Sequence, residues 1–473
     1  MKLAWLLPLL LGSSVASVTS TARADSFALG GAIVAPEEVI SHGWVVVQDG
    51  RISKVTREKP EDHNIRLIET RGVIYPGFID LHNHPMYSVF EHWTAGRTFI
   101  NRYEWRDLQE YKDRIGAPGS ELQKKDDHDQ TFCDLDEYAE AMAVIGGTTS
   151  VTGISARRAP LTPIPGCIAG MVRNLDWASG FYGTGVGHER VQNALGVTPR
   201  DMKLTDAAAD VSALSNGALD LLLAHVAEGS RKDMETGLEF LALQGRGLLR
   251  PHVAVIHGIG LGEDDFTAMR AADVALIWSP RSNIELYGET TDIIAALKQK
   301  VPVALAPDWS PTGSVNVLAE IKYASQLSQT QLSGALTDRQ LFEMSTAIPA
   351  RIAGIDDKVG RIAAPLFADL VVVNSDASQP FETLAHTDAT DVRLVLVAGA
   401  PIYGTHELMA RFHIPLEDVN VCGSVRSFNS AQLPGGAFAN VQNRLTADLA
   451  AYKLKLAPLV DCGQQVGGRQ KPH

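Results

Sequence analysis

Apolar and polar positions along the chain change period, and the changes divide it. Residues 28–75 carry short β-branched runs, among them Ala32-Ile33-Val34, Gly43-Trp44-Val45-Val46-Val47 and Ile52-Ser53-Lys54-Val55. Asp49-Gly50 between the last two is a hairpin signal. Residues 361–404 read the same way, with strands predicted at 368–373 and 393–397. Strands at both ends of a chain can pair, so 25–75 and 361–404 are expected to form one composite β-sandwich. Between them, over 76–360, strand-like runs alternate with helical ones. Predicted strands lie at 148–152, 220–224, 253–256, 275–278 and 301–305, and predicted helices at 135–145, 234–243, 264–272, 292–300 and 315–328. Repeated βα units of this length predict an α/β fold, a (β/α)8 TIM-like barrel. A doubly wound sheet is the competitor, but no G-x-G-x-x-G fingerprint supports it.

Two stretches fall outside this rhythm. Residues 85–130 form a long excursion holding Tyr87, Trp93, Phe99, Tyr103, Trp105 and Tyr111. Such an insertion at a barrel mouth is expected to be a lid or pocket wall, or else a packing insertion with a small core of its own. Residues 405–473 follow the second β-segment and read as a wrapped tail.

Polar side chains at the predicted strand ends carry the candidate chemistry. The apolar run 73–79 leads into His82 and His84, one residue apart and so on one side of a strand. Alone, such a pair is as well explained by two surface histidines. His225 ends the run 221–224 with Glu228 three residues on, His257 ends 253–256, and Asp308 follows 303–305. All parallel strands of a barrel end on one rim, so these side chains would converge there, and imidazoles with carboxylates suit zinc.

The same segments resemble the amidohydrolase superfamily. PGFIDLHNHP is similar to its first-strand metal motif, and LLLAHVAEG to the fifth-strand His-x-x-Glu motif of its cyclic-amidine deaminase and chlorohydrolase branch. VAVIHGIGL, SPRSNIELYG and VPVALAPDWSPTGSVNVLAE resemble the sixth-, seventh- and eighth-strand segments. The match covers most of 30–405 but neither the excursion nor the tail. It departs at Ala306-Pro307, where the family often has Gly-Thr, and at Leu366-Phe367, where Gly-Lys is usual. The resemblance implies His82, His84, His225 and Asp308 as metal ligands and Glu228 as proton shuttle. It gives His257 a role in orienting water or polarising substrate, and Asp308 a second role in accepting a proton. It implies one Zn2+ per chain, another divalent metal being the alternative. Binuclear relatives use a fourth-strand lysine, and the only lysine between Lys125 and Lys232 is Lys203, in a polar run. Arg102, Tyr103 and Trp105 in the excursion, Arg281, Ser282 and Asn283 after the seventh strand, and Trp309 beside Asp308 are candidate substrate contacts.

Composition narrows the setting. The chain has 473 residues, 45% hydrophobic and 21% charged, enough for one large core and a smaller one. A formal net charge of −13 argues against a nucleic-acid partner. Lys2, the apolar run 3–11 and Ala22-Arg23-Ala24 read as a signal peptide cut after Ala24, which predicts a periplasmic or secreted protein with no membrane attachment afterwards. Cys133, Cys167, Cys422 and Cys462 fit an oxidising compartment, with Cys133–Cys167 and Cys422–Cys462 the expected bridges. The expected activity is hydrolysis of C–N bonds in a small non-peptide substrate: amide, cyclic amide or amidine. A dipeptidase-like enzyme on the same barrel and a non-catalytic exported metal-binding protein are the alternatives.

Overall fold

The computed structural model describes residues 26–153, 170–177 and 190–462. The signal segment and its cut after Ala24 lie outside these residues, as does Cys167. Four strands open the chain: β1 (Phe27–Val34), β2 (Val39–Gln48), β3 (Arg51–Thr56) and β4 (Arg66–Pro76). Eight short strands follow: β5 (Phe78–Asp80), β6 (Thr148–Val151), β7 (Arg173–Asn174), β8 (Val191–Ala194), β9 (Leu221–Val226), β10 (Val253–His257), β11 (Ala275–Trp278) and β12 (Val303–Leu305). They run parallel in two arcs, β5-β6-β7 and β8-β9-β10-β11-β12. Backbone hydrogen bonds close the ring. Val191 N–H donates to Asp176 C=O at one gap, and Asp308 N–H to His82 C=O and His84 N–H to Asp308 C=O at the other. The expected barrel is therefore present.

Its interior follows the strand period of two. Ile79, Leu221, Leu223, Ala254, Ile256, Ile277 and Ala304 pack together inside. On β9 the next inward position after Leu221 and Leu223 is His225, so the alternation that fills the barrel also aims the imidazole at its mouth. Gly77 sits where the chain passes from β4 into β5. A Cβ there would lie 2.3 Å from the Thr149 side chain, so only glycine fits.

Five further strands, β13 (Leu370–Val373), β14 (Val392–Val397), β15 (Ala400–Thr405), β16 (Leu416–Val421) and β17 (Ser424–Asn429), join the first four. The sheet order is β16-β17-β15-β14-β13-β4-β1-β2-β3, and its N- and C-terminal parts meet where β13 pairs antiparallel with β4, Val371 opposite Tyr75. Alternate residues serve two cores. Ile74, Leu370 and Val372 face a core with Phe27 and Leu29, while Val73, Tyr75, Val371 and Val373 pack toward the barrel helices. A buried Arg173–Asp369 ion pair also ties β7 to the segment before β13.

The expected tail is more than a wrap. It supplies β16 and β17, and its helix Phe438–Ala450 packs on the barrel helix Gln130–Ile145. There Tyr138 and Phe438 stack at 6.0 Å, and Arg444 forks onto Asp134 at 2.6 and 2.7 Å. Cys422 and Cys462 are bridged. The predicted partner of Cys133 lies outside the described residues. Among the described residues no helix is long and apolar enough to cross a membrane.

Candidate active site

The rim of the barrel gathers His82, His84, His225, His257, Asp308 and Glu228, all buried except His84, which is half-buried. His82 Nε2 lies 3.1 Å and His84 Nε2 3.5 Å from Asp308 Oδ1. The His82 and His225 rings are 5.0 Å apart, and the His82 and His257 rings 4.9 Å. Donor atoms of His82, His84 and Asp308 lie within 4.8 Å of one another, as do those of His82, His225 and His257. Backbone geometry contributes: His257 and Asp308 are left-handed, with φ of +66° and +71°. Non-glycine residues adopt that region at a cost, and such positions cluster at functional sites.

The His82, His225 and His257 rings are each turned by a hydrogen bond to the outer nitrogen. His225 Nδ1 donates to Ala194 C=O at 2.9 Å, and His82 Nδ1 meets Ser279 Oγ at 2.8 Å. His257 Nδ1 meets Asn283 Oδ1 at 2.8 Å, while the Asn283 amide nitrogen is directed at Thr290 Oγ1. Such bonds fix the tautomer that leaves Nε2 free as a ligand. His82 Nε2 is buried and makes no well-formed hydrogen bond. Burial holds the His82 imidazole down at about 4 and also lowers His84 and His225, so these rings are neutral near pH 7. Burial pushes Asp308 up, but the His82, His257 and His84 imidazoles outweigh it and keep the carboxyl well below the usual range. Three neutral imidazoles, one with an orphaned nitrogen, beside an ionised carboxylate fit a divalent metal.

Glu228 stands at the edge of this cluster and is held from three sides. Tyr287 donates to its Oε1 at 2.6 Å, His257 Nε2 is 3.8 Å from that oxygen, and Arg102 Nη1 is 3.9 Å from Oε2. Tyr287 in turn accepts from Trp105 Nε1 at 2.9 Å. The excursion thus reaches the candidate proton shuttle through two hydrogen bonds. Glu239 accepts from the Ala227 N–H at 2.6 Å and fixes the turn before Glu228.

The structure sorts the expected substrate contacts. Trp105 and Trp309 line the cavity together with His84, Glu228 and Asp308. Asn283 does not; it is buried behind His257 and orients it. Tyr103 points away as well, with its hydroxyl on Asp201. Arg102 borders the cavity, but it is 2% exposed and its guanidinium is taken up by Glu239 at 3.0 Å and Asp201 at 2.7 Å. It is a buried counter-ion, because three carboxylates surround it. Arg281 pairs with Glu285 and Asp461, away from the cluster. Ser282 is fully buried and outside the cavity lining. His92 pairs with Glu285 at 3.2 Å. The sequence reading missed Tyr287, Ser279 and Glu239, and the SPRSNIELYG segment already contained the first two.

Comparison with known proteins gives a consistent picture. Residues 202–402 match the model of the amidohydrolase family. A 5'-deoxyadenosine deaminase from Methanosarcina mazei is 22% identical over 410 residues, covering 78% of this chain and 90% of the relative. A 5-methylthioadenosine/S-adenosylhomocysteine deaminase from Desulfitobacterium hafniense is 26% identical over 415 residues, covering 79% and 91%. Among solved structures, an adenosine deaminase from Xanthomonas campestris with bound zinc superposes with a TM-score of 0.62 at 17% identity, covering 79% of this chain and 92% of that one. A guanine deaminase from C. acetobutylicum gives 0.59 at 17% identity, covering 80% and 100%. These two structures share the fold with this chain. Residues 202–402 thus carry the amidohydrolase match, and the chain as a whole resembles the cyclic-amidine deaminase and chlorohydrolase branch of that superfamily.

Proposed function

We propose that the protein is a metal-dependent hydrolase that cleaves a C–N bond of a small non-peptide substrate, as a deaminase of an amidine-type ring does. The observation that carries this is the convergence of His82, His84, His225 and Asp308 beside a carboxylate, Glu228, that is outside the ligand set and held by Tyr287. His82, His84, His225 and Asp308 would hold one divalent ion, zinc by preference. Bound in such a set, it lowers the pKa of water toward neutrality and so supplies the nucleophile. Glu228 lies where it can take a proton from the attacking water and give it to the departing nitrogen. His257, fixed by Asn283, presents Nε2 toward the same space and can hold the electrophilic end of the substrate. The relatives include deaminases of 5'-deoxyadenosine, 5-methylthioadenosine and guanine, which makes those compounds the first to test.

The test is ammonia release from these three compounds by zinc-loaded protein, before and after chelation. Turnover of at least one, abolished by chelator and restored by Zn2+, is the expected outcome. Chelator-insensitive turnover would overturn the metal assignment, and cleavage of dipeptides without any ammonia from the three would favour the peptidase alternative.

A further inference from the structure

The cavity in front of the metal cluster has two features that the reaction as derived above does not use. The first is an aromatic wall. Trp105 lies 5.0 Å from Tyr111 and 5.6 Å from Trp309, and Tyr87 lies 5.8 Å from Trp309, ring centre to ring centre. All four rings line the cavity. The second is a pair of guanidiniums one helical turn apart on the short helix Arg102–Arg106. Arg102 is neutralised by Glu239 and Asp201. Arg106 is half-buried, lines the same cavity, and makes no hydrogen bond or ion pair with any described residue. Its charge is felt at His84.

A cation partly removed from water without a partner is unfavourable, and a bound anion offsets that cost. The guanidinium fork matches planar or tetrahedral oxyanions in particular. A chain of net charge −13 repels anions in general, so a guanidinium without a carboxylate partner inside the cavity is selective. Building on the hydrolase reading above, we propose that this site takes a planar aromatic or heteroaromatic ring bearing an anionic group. The ring lies against Trp105, Tyr111 and Trp309, and the anion sits on Arg106. Neutral nucleosides and bases such as 5'-deoxyadenosine and guanine would then bind as incomplete substrates.

The test is a binding experiment independent of turnover. Tryptophan fluorescence of the full chain is titrated with naphthalene-2-sulfonate and with its neutral counterpart, 2-(methylsulfonyl)naphthalene. The sulfonate should bind at least about tenfold more tightly, a difference of about 1.4 kcal/mol. Arg106→Gln should abolish that preference by weakening the sulfonate alone, and retained sulfone binding reports that the cavity is intact. If Arg106→Gln loses both probes, Arg106→Lys decides, since it keeps the charge and should keep the sulfonate preference. Equal binding of the two probes by wild type, binding of neither, a sulfonate affinity unmoved by Arg106→Gln, or no preference in Arg106→Lys would overturn the proposal. Because no turnover is read, this outcome is separate from that of the ammonia-release test.

Discussion

Glu228 and Asp308 are both buried carboxylates on one rim, yet their surroundings assign them different work, and substitution should separate them. Asp308 lies against two imidazoles, so Asp308→Ala should lose metal and turnover together. Glu228 touches Tyr287 instead, so Glu228→Gln should keep the metal and still lose about 10²–10⁴-fold in turnover. Plasma mass spectrometry for metal content and turnover on the same samples check both, and a fully active Glu228→Gln would remove its assigned role. Tyr287→Phe leaves Trp105 Nε1 and Glu228 Oε1 without their shared partner. It should lower kcat with KM little changed, and cost about 1–3 kcal/mol in stability, since buried polar groups lose their bonds. Comparing kcat, KM and melting temperature against wild type is the check. The convergence of His82, His84, His225, His257 and Asp308 was legible because each stands at the end of a predicted strand, and parallel strands of a barrel end on one rim. Tyr287 was not, because its role depends on the end of the helix Pro280–Tyr287 reaching Glu228, 59 residues earlier, and spacing along the chain does not encode that. Ala194 was beyond reach altogether, since it acts through a backbone carbonyl that every residue possesses. Arg102 misled because a buried arginine and a substrate-binding one look alike until their carboxylate partners, distant in sequence, are placed.

At the scale of elements, the helix Val317–Gln331 illustrates how the barrel tolerates a buried carboxyl group behind its site. Its Glu320 is fully buried, accepts the Arg281 N–H with Oε1 at 3.1 Å, and leaves Oε2 without a hydrogen bond. Burial pushes its carboxyl up to about 8. An acid raised above its unfolded value of about 4.3 binds its proton more tightly in the folded state. Its contribution is therefore most favourable below that unfolded value and is lost as pH rises through about 8. Glu320→Gln removes this dependence, so its melting temperature relative to wild type should improve from pH 5 to pH 8.5. Thermal melts at the two pH values check this, and an unchanged difference would contradict a protonated Glu320. The helix itself was legible, as was the alternation of strands and helices. The excursion was legible only as an aromatic surplus. Its helices are three to six residues long, too short for periodicity to register, and they are fixed by contacts such as Asn101 with Asp233.

Across the whole molecule the C-terminal part braces the active-site wall. Ala457 N–H donates to Val89 C=O at 2.9 Å, Leu456 bridges Phe90, and Tyr452 donates to Glu121 at 2.7 Å. These partners belong to the excursion that supplies Trp105, so the sheet edge, the helix Phe438–Ala450 and the cavity are mechanically linked. The sequence showed no such link, because the tail lacks a family motif and its strands are partly exposed. The Cys422–Cys462 bridge closes this segment over 40 residues. We propose that it forms during export, a reading supported by the Ala22-Arg23-Ala24 pattern and by the bridge itself. Peptide mapping without reductant should recover the Cys422–Cys462 pair from protein whose mass begins at Asp25. In a chain-entropy model a loop of that length is worth about 3–4 kcal/mol. Cys462→Ser should therefore lower denaturant resistance by that amount. It should also make residues 430–462 the first region cut by protease, because the helix Phe438–Ala450 loses its tether to β16. Metal content should stay at the wild-type level, since none of the proposed ligands His82, His84, His225 and Asp308 lies in the tail. Loss of metal in Cys462→Ser would mean that the bridge supports the barrel itself, and the division between brace and site would fall.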